Sequence, residues 1–474
     1  MKTAAGKNIP IKLVLTLVFI AAGVVIAIMT PFNGLSRTGH IMMGSLIAAL
    51  AVWIFQPGGG TLFIGAVIIL FGGSFTDIPM SVIANGYSSP SLWLLIPAMF
   101  LGGALLNTGL GKRIVLSIFK RMNLSYVKIL IGWFFVGLFF SLLTPSITVR
   151  ISILAPIAAG VADACRLEPG SKGRSLIVIS AYSVSVFPGI AWLNGSLYGP
   201  VFTSYLPIGP MRDMATEQMW FQVIGVPWLL FSVVFLAVIY FLLKPQDKLS
   251  VTKAQLELMY DDLGPLSKRE KGCLAAFAFF IICLVLQTML PVTINQTLLA
   301  ALILLLFLNV LSVKDISTGI GWDIVLFFGI ALSISQIFEV SGITAWLSPI
   351  LTSMLAPVAF SPLVFVLALY GICLVLRFFD VAQGWISSAI LAVATPMLYS
   401  DFGLNPLISL MAFLCGANLF FFRYHQPWLG QVEAVCGEKG WNPGHLKVAS
   451  LAYAVLAAVM LVFSRFYWGL IGVL

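Results

Sequence analysis

Uninterrupted apolar runs of about 20 residues recur along the whole of this 474-residue chain, and no other feature constrains its fold so strongly. A helix of that length crosses a hydrocarbon layer roughly 30 Å thick. Transmembrane strands would alternate apolar and polar residues, and these runs do not. Composition agrees: 60% of residues are hydrophobic and 9% charged, with a mean hydropathy of +1.05. A soluble domain uses about a quarter charged residues to cover its surface, so most of this surface must face lipid. The expected class is an all-α polytopic membrane protein.

The net charge of +9 does not point to nucleic acid. The basic residues sit in short loops between apolar runs, where the positive-inside rule places them. Six scattered cysteines form no CxxC pair and read as small core residues rather than disulfides or a zinc site. The apolar run from Ile11 to Met29 has no small-residue cleavage site after it, so it reads as a retained first helix. HExxH, P-loop, GxSxG and Asp-rich prenyl-diphosphate motifs are all missing from the sequence, which argues against an enzyme.

Helices are expected near 11–30, 38–56, 60–75, 90–110, 126–162, 174–205, 220–243, 272–290, 294–312, 320–344, 361–400, 404–430 and 447–472. Segments 126–162 and 361–400 are too long for one span and carry breaks midway, so both are expected to be re-entrant hairpins. Segments 174–205 and 404–430 contain central breaks at Phe187-Pro188-Gly189, Asn194-Gly195 and Gly416-Ala417-Asn418. Broken backbone at membrane depth is tolerated only where it lines a cavity or is buried in protein. The hydrophilic stretch Lys244–Lys271 divides the chain into an N-terminal helix (1–37), a first repeat (38–243), a linker (244–271) and a second repeat (272–474). Trp93 opens a helix closing at Gly109 and Trp322 one closing at Gly342, 233 residues later. Paired interrupted segments in two inverted halves point to a secondary transporter's binding site. With the N-terminus and the linker inside, 20 of the 26 Lys and Arg fall on inside segments, which predicts a cytoplasmic N-terminus in a cell inner membrane.

The stretches "GYSSPSLWLLIPAMFLGGALLNTGLGKRI", "TPSITVRISILAPI" and "WDIVLFFGIALSISQIFEVSGI" resemble the divalent anion:sodium symporter family of di- and tricarboxylate and sulfate transporters, over essentially the whole chain. The resemblance implies eleven spanning helices plus two hairpins, a homodimer and an elevator movement. It also implies a Ser-Asn-Thr signature at each hairpin tip, which with the nearby broken helix binds sodium and substrate. The first tip falls on Ser146, Ile147 and Thr148, and Pro145 and Arg150 fit the "PSNTAR" form of the family's exchanger branch. The second falls on Val381, Ala382 and Gln383, with Ile386, Ser387 and Ser388 as the alternative. Ile147 replaces an amide whose carbonyl oxygen is a hard-cation ligand, so sodium coupling is not expected and no cofactor or metal is assigned.

An ionised side chain at membrane depth is functional by default. Arg150, Arg377 and Arg423 all lie in the hairpins or the second broken helix. Arg150 follows Ser146 by one turn, and a guanidinium holds a carboxylate bidentately. Arg377 and Asp380 read either as a mutually neutralising pair or as a proton-responsive relay. His425 after the second break is a candidate substrate contact or an interfacial residue. Asn194, Gly195, Ala417 and Asn418 mark backbone that can hold an anion through half-helix N-termini. The expected function is sodium-independent exchange, or proton-coupled transport, of small carboxylates. Its rivals are a sodium-coupled carboxylate or sulfate symporter and a non-transporting membrane scaffold or receptor.

Overall fold

The computed structural model describes residues 11–55, 60–121, 125–204, 206, 209–246, 249, 253–286, 292–318, 321–355, 361–378, 395, 399, 403–422, 425–436 and 440–473. Among these residues every regular element is a helix. The helices used below are α1 (Ile11–Ile28), α2 (Arg37–Phe55), α3 (Thr61–Gly73), α4 (Pro90–Thr108), α5 (Leu110–Phe119), α6 (Tyr126–Leu143), α7 (Ile147–Ala164), α8 (Lys172–Ile190), α9 (Tyr198–Ser204), α10 (Glu217–Leu243), α11 (Lys253–Asp261), α12 (Lys268–Val285), α13 (Ile294–Phe307), α14 (Trp322–Val340), α15 (Ile343–Leu355), α16 (Pro362–Leu376), α17 (Pro406–Ala417), α18 (Pro427–Cys436) and α19 (Pro443–Leu470). Nine of the described helices are long and apolar enough to cross a membrane, and shorter apolar helices stand beside them.

Packing sorts these helices by depth. α8 is buried from Gly173 to Ile190, with α6, α7 and α10 all packed on it, so the first hairpin is built against an enclosed helix. By contrast, α1 packs on α2 and leaves Ile11, Val25 and Ile28 more than half exposed, as expected for a helix facing lipid. Between α1 and α2, Gly23 and Gly44 allow the backbones to touch: a Cβ on Gly23 would sit 2.5 Å from the Gly44 carbonyl. Small residues at such crossings substitute for a hydrophobic drive that lipid does not supply.

The segment 126–162 is two 18-residue arms, α6 and α7, joined at Thr144–Ser146. Gly109 and Gly342 both take left-handed φ, 80° and 78°, where α4 and α14 end, a conformation that only glycine adopts cheaply. The indoles of Trp93 and Trp322 donate to carbonyls six residues upstream, on Tyr87 at 3.1 Å and Ile316 at 3.2 Å. The break expected at Phe187-Pro188-Gly189 is not there. These residues complete the last turn of α8: Pro188 gives up one ladder bond, to the Val184 carbonyl, without ending the helix, and the chain leaves it only after Ile190.

The linker is more ordered than its hydrophilicity suggests. α11 lies in it against the amphipathic α5, with the Lys120 Nζ 3.3 Å above the Tyr260 ring. Arg113 on α5 donates to Glu270 at 2.7 Å and to the carbonyls of Gly264 and Leu263 at 2.9 and 3.1 Å, clasping the linker's end. Asp315 accepts from Ser312 and Asn107 and meets Arg269 at 3.3 Å, which joins the ends of α4 and α13 to the start of α12.

Candidate functional site

At the first hairpin tip the chain leaves α6 through Thr144 and re-enters helix at Ile147. Ser146 is the N-cap of α7, its Oγ accepting from the Val149 amide at 3.3 Å, while Thr144 Oγ1 accepts from the Ser146 amide at 3.2 Å. Two of the four amides orphaned at a helix start are settled this way. Ile147 is buried. Thr148 faces the second half of the chain: its hydroxyl accepts from Trp428 Nε1 at 3.3 Å and its carbonyl from Gln431 Nε2 at 2.9 Å. Gln431 also reaches Ser152 Oγ at 2.7 Å. α18 is thereby laid along α7 directly over the tip.

Arg150, between Thr148 and Ser152 in sequence, points away from these contacts toward Gly189. It is 0% exposed, and among the described residues its Nε, Nη1 and Nη2 have no hydrogen-bond partner. The guanidinium lies against Gly189. A Cβ added there would meet Arg150 Nη2 at 2.7 Å and the Gly195 carbonyl at 2.5 Å, so glycine at 189 is what makes room for the charge. The tip arginine thus touches the end of α8 that leads into the first break.

That break runs from Ala191 to Leu197, between α8 and α9. Trp192 stacks on Phe221 with centroids 4.8 Å apart, and Trp220 Nε1 donates to the Ile190 carbonyl at 3.0 Å. Asn194 Nδ2 donates to the carboxylate of Glu217 at the start of α10. Asn194, Gly195 and Glu217 line, with Ser141, Pro145 and Trp192, a cavity of about 330 Å³ beside the tip.

The second break follows Ala417 and ends where Pro427 opens α18. Asn418 caps α17, its Nδ2 donating to the Leu414 carbonyl at 2.9 Å. Gln426 Nε2 donates to the carbonyls of Ala417 at 3.1 Å and Leu419 at 3.4 Å, folding the loop back on the helix end. His425 sits between the rings of Phe378 and Phe422, with centroids at 5.1 and 5.4 Å. Arg377, fully buried at the end of α16, lies close enough for its charge to act on Tyr182, Tyr198 and His425. Tyr198 at the start of α9 meets the Trp428 ring edge-on at 6.2 Å, which closes the circle from the first break to the second.

The structure therefore sets Ser146, Ile147, Thr148 and Arg150 at one tip beside Gly189 and Gly195, and bonds Thr148 to Trp428 on α18, just after His425 and Gln426, whose side chain holds Ala417 next to Asn418. Asn194 turns toward Glu217. Val381, Ala382, Gln383, Asp380 and Arg423 lie outside the described residues, as does the alternative tip at Ile386, Ser387 and Ser388. Sequence reasoning missed Glu217, Tyr198, Gln426, Trp428 and Gln431. Only Gln426 carried a signal, being next to His425 in the Arg-Tyr-His-Gln run. Among the described residues no three His, Cys, Asp or Glu side chains gather as metal ligands.

A helical hairpin tip facing two broken helices from opposite halves of a multi-pass bundle is the architecture of a membrane transporter. The family described as the sodium:sulfate symporter transmembrane region matches residues 11–474, and the chain belongs to it. This agrees with the family indicated by the hairpin and Trp-helix motifs. Over 99% of its length the chain is 23% identical to the putative malate transporter YflS of Bacillus subtilis, covering 98% of that protein. It is 24% identical to the L-tartrate/succinate antiporter of Escherichia coli K12, covering 90% of this chain and 86% of the antiporter. The crystal structure of the Alcanivorax borkumensis YdaH transporter matches 82% of this chain and 88% of its own, with a TM-score of 0.55 at 15% identity, a likeness of fold.

Proposed function

We propose that this protein is a secondary transporter of di- or tricarboxylate anions that works by sodium-independent exchange or with protons. The anion sits between the first tip and the two breaks, where Arg150 supplies fixed positive charge. The observation that carries this reading is the Arg150 guanidinium: wholly buried, without a hydrogen-bond partner among the described residues, and lying against Gly189 at the end of the helix that leads into the break at Gly195. A charge taken out of water without a partner is strongly disfavoured, and an anion arriving at the site removes that penalty. A planar fork of donors fits a carboxylate. The relatives named for malate and for tartrate and succinate support the same substrate class. Segments 38–243 and 272–474 act as inverted repeats in an elevator homodimer, with the N-terminus and the 244–271 linker in the cytoplasm of a cell with an inner membrane.

The family's description, which names sodium and sulfate, favours a second reading: sodium-coupled uptake of sulfate or a carboxylate. Thermal stabilisation of the purified protein by a panel of carboxylates and oxyanions, with and without sodium, separates the two. Stabilisation by dicarboxylates in choline medium supports exchange. Stabilisation by sulfate alone, or only when sodium is present, sinks it.

A further inference from the structure

We propose that Asn418 and Gln426 recognise a hydroxyl group on the transported anion, so that the protein selects 2-hydroxylated dicarboxylates over unsubstituted ones. The proposal rests on the carboxylate reading above and adds a feature that reading does not require. Both side chains are buried, with exposures of 1% and 0%. Both have their amide nitrogen committed: Asn418 Nδ2 to the Leu414 carbonyl, and Gln426 Nε2 to the carbonyls of Ala417 and Leu419. A carbonyl accepts and never donates, so these contacts fix which end of each amide is nitrogen. The oxygens, Asn418 Oδ1 and Gln426 Oε1, are therefore held as acceptors in the interior, and among the described residues neither accepts a hydrogen bond, with the Tyr198 hydroxyl lying beside the Gln426 side chain.

Two buried acceptors call for a donor. An ionised carboxylate has none to give, because at neutral pH it only accepts. A plain dicarboxylate can satisfy Arg150 and leaves both amide oxygens dry and unpaired. A hydroxyl on the carbon chain brings one O–H donor, which either oxygen can receive. Placement agrees with this. Gln426 lies one residue before α18, the helix whose Trp428 and Gln431 bond to Thr148 and Ser152 on the helix that carries Arg150. Gln426 and the guanidinium thus belong to neighbouring elements, and Asn418 stands next to the Ala417 carbonyl that Gln426 holds. Sites that hydrogen-bond a substrate hydroxyl reject the analogue lacking it far better than apolar pockets reject a missing methylene.

The test uses full-length protein in proteoliposomes loaded with labelled succinate, with malate, succinate or 2-methylsuccinate outside. Wild type should half-saturate with malate at roughly 3- to 10-fold lower concentration than with succinate, the worth of one net hydrogen bond. The methyl analogue, which matches the hydroxyl in bulk but donates nothing, should do no better than succinate. Gln426→Met and Asn418→Ala should each weaken malate more than succinate and bring the ratio near one. Equal half-saturation in wild type, malate-like behaviour of 2-methylsuccinate, or an unchanged ratio in both folded variants overturns the hydroxyl assignment and leaves the carboxylate reading standing. If neither variant folds, the wild-type comparison alone decides. Sodium stabilisation of the substrate-free protein that both variants abolish would give the oxygens to a cation and overturn the proposal. Failure of wild type to exchange any dicarboxylate overturns both readings.

Discussion

Replacing Arg150 should have opposite effects on substrate binding and on the stability of the empty protein. In the empty protein the guanidinium is fully buried, and among the described residues all three nitrogens are without a hydrogen-bond partner. A buried ion without compensation carries a penalty of several kcal/mol. Arg150→Gln keeps a polar side chain of similar reach and removes the charge, so the substrate-free variant should melt no lower than wild type. Binding should move the other way. A bidentate carboxylate makes two charge-assisted hydrogen bonds to Arg150, each worth about 1.5–3 kcal/mol. Lysine retains a point charge but loses the fork, so Arg150→Lys should weaken apparent affinity by roughly 10- to 150-fold, the loss of one such bond. Arg150→Gln loses both and should weaken it further. Size exclusion, thermal melting and dicarboxylate affinity would be measured on the same preparations. A well-folded Arg150→Gln that binds with near-native affinity refutes the reasoning, as does a variant that melts far below wild type while its surviving fraction binds normally.

Gly189→Ala should impair transport about as severely as loss of Arg150, because its Cβ would land on the guanidinium and on the Gly195 carbonyl; normal exchange by the alanine variant would show that this contact is not kept during transport. Cysteines placed at Ser250 and near the N-terminus, in a background lacking the native six, should resist membrane-impermeant reagents in intact cells, and ready labelling of both would reverse the topology. Hydrogen bonds from Ser312 hold the Asp315 carboxyl below its ordinary value of 3.8, with a smaller push from Arg269. A depressed folded value means that its contribution is present above pH 3.8 and is lost as pH falls further, so amide exchange around 309–318, corrected for intrinsic rates, should stay flat from pH 8 to 5 and rise only in stronger acid. A rise near pH 6 would contradict that assignment.

Much of this architecture was written in residues with one cheap solution each. Gly109 and Gly342 take a left-handed cap that other residues resist, and Asn194-Gly195 and Gly416-Ala417-Asn418 stand at real interruptions because no lipid can satisfy open backbone. Pro188 misled because a proline can sit inside a helix without ending it: it gives up one bond, to the Val184 carbonyl, and α8 still runs to Ile190. The polar linker read as loop because α11 and α5 are held by contacts distant in sequence, Arg113 to Glu270 and Lys120 to Tyr260. The same limit hid half of the candidate site. Arg150 was legible as a charge at depth, but the room it occupies depends on Gly189, 39 residues on. Gln426 and Glu217 look like ordinary polar residues until the fold turns one oxygen inward and sets the other against Asn194.

Counterflow of a labelled dicarboxylate into proteoliposomes, with choline replacing sodium at equal pH, addresses the central claim most directly. Arg150 in place of a bound cation predicts saturable uptake that depends on unlabelled dicarboxylate inside and runs at the same rate in either medium. Uptake that appears only with sodium, or no counterflow by protein that is folded and correctly inserted, would contradict it.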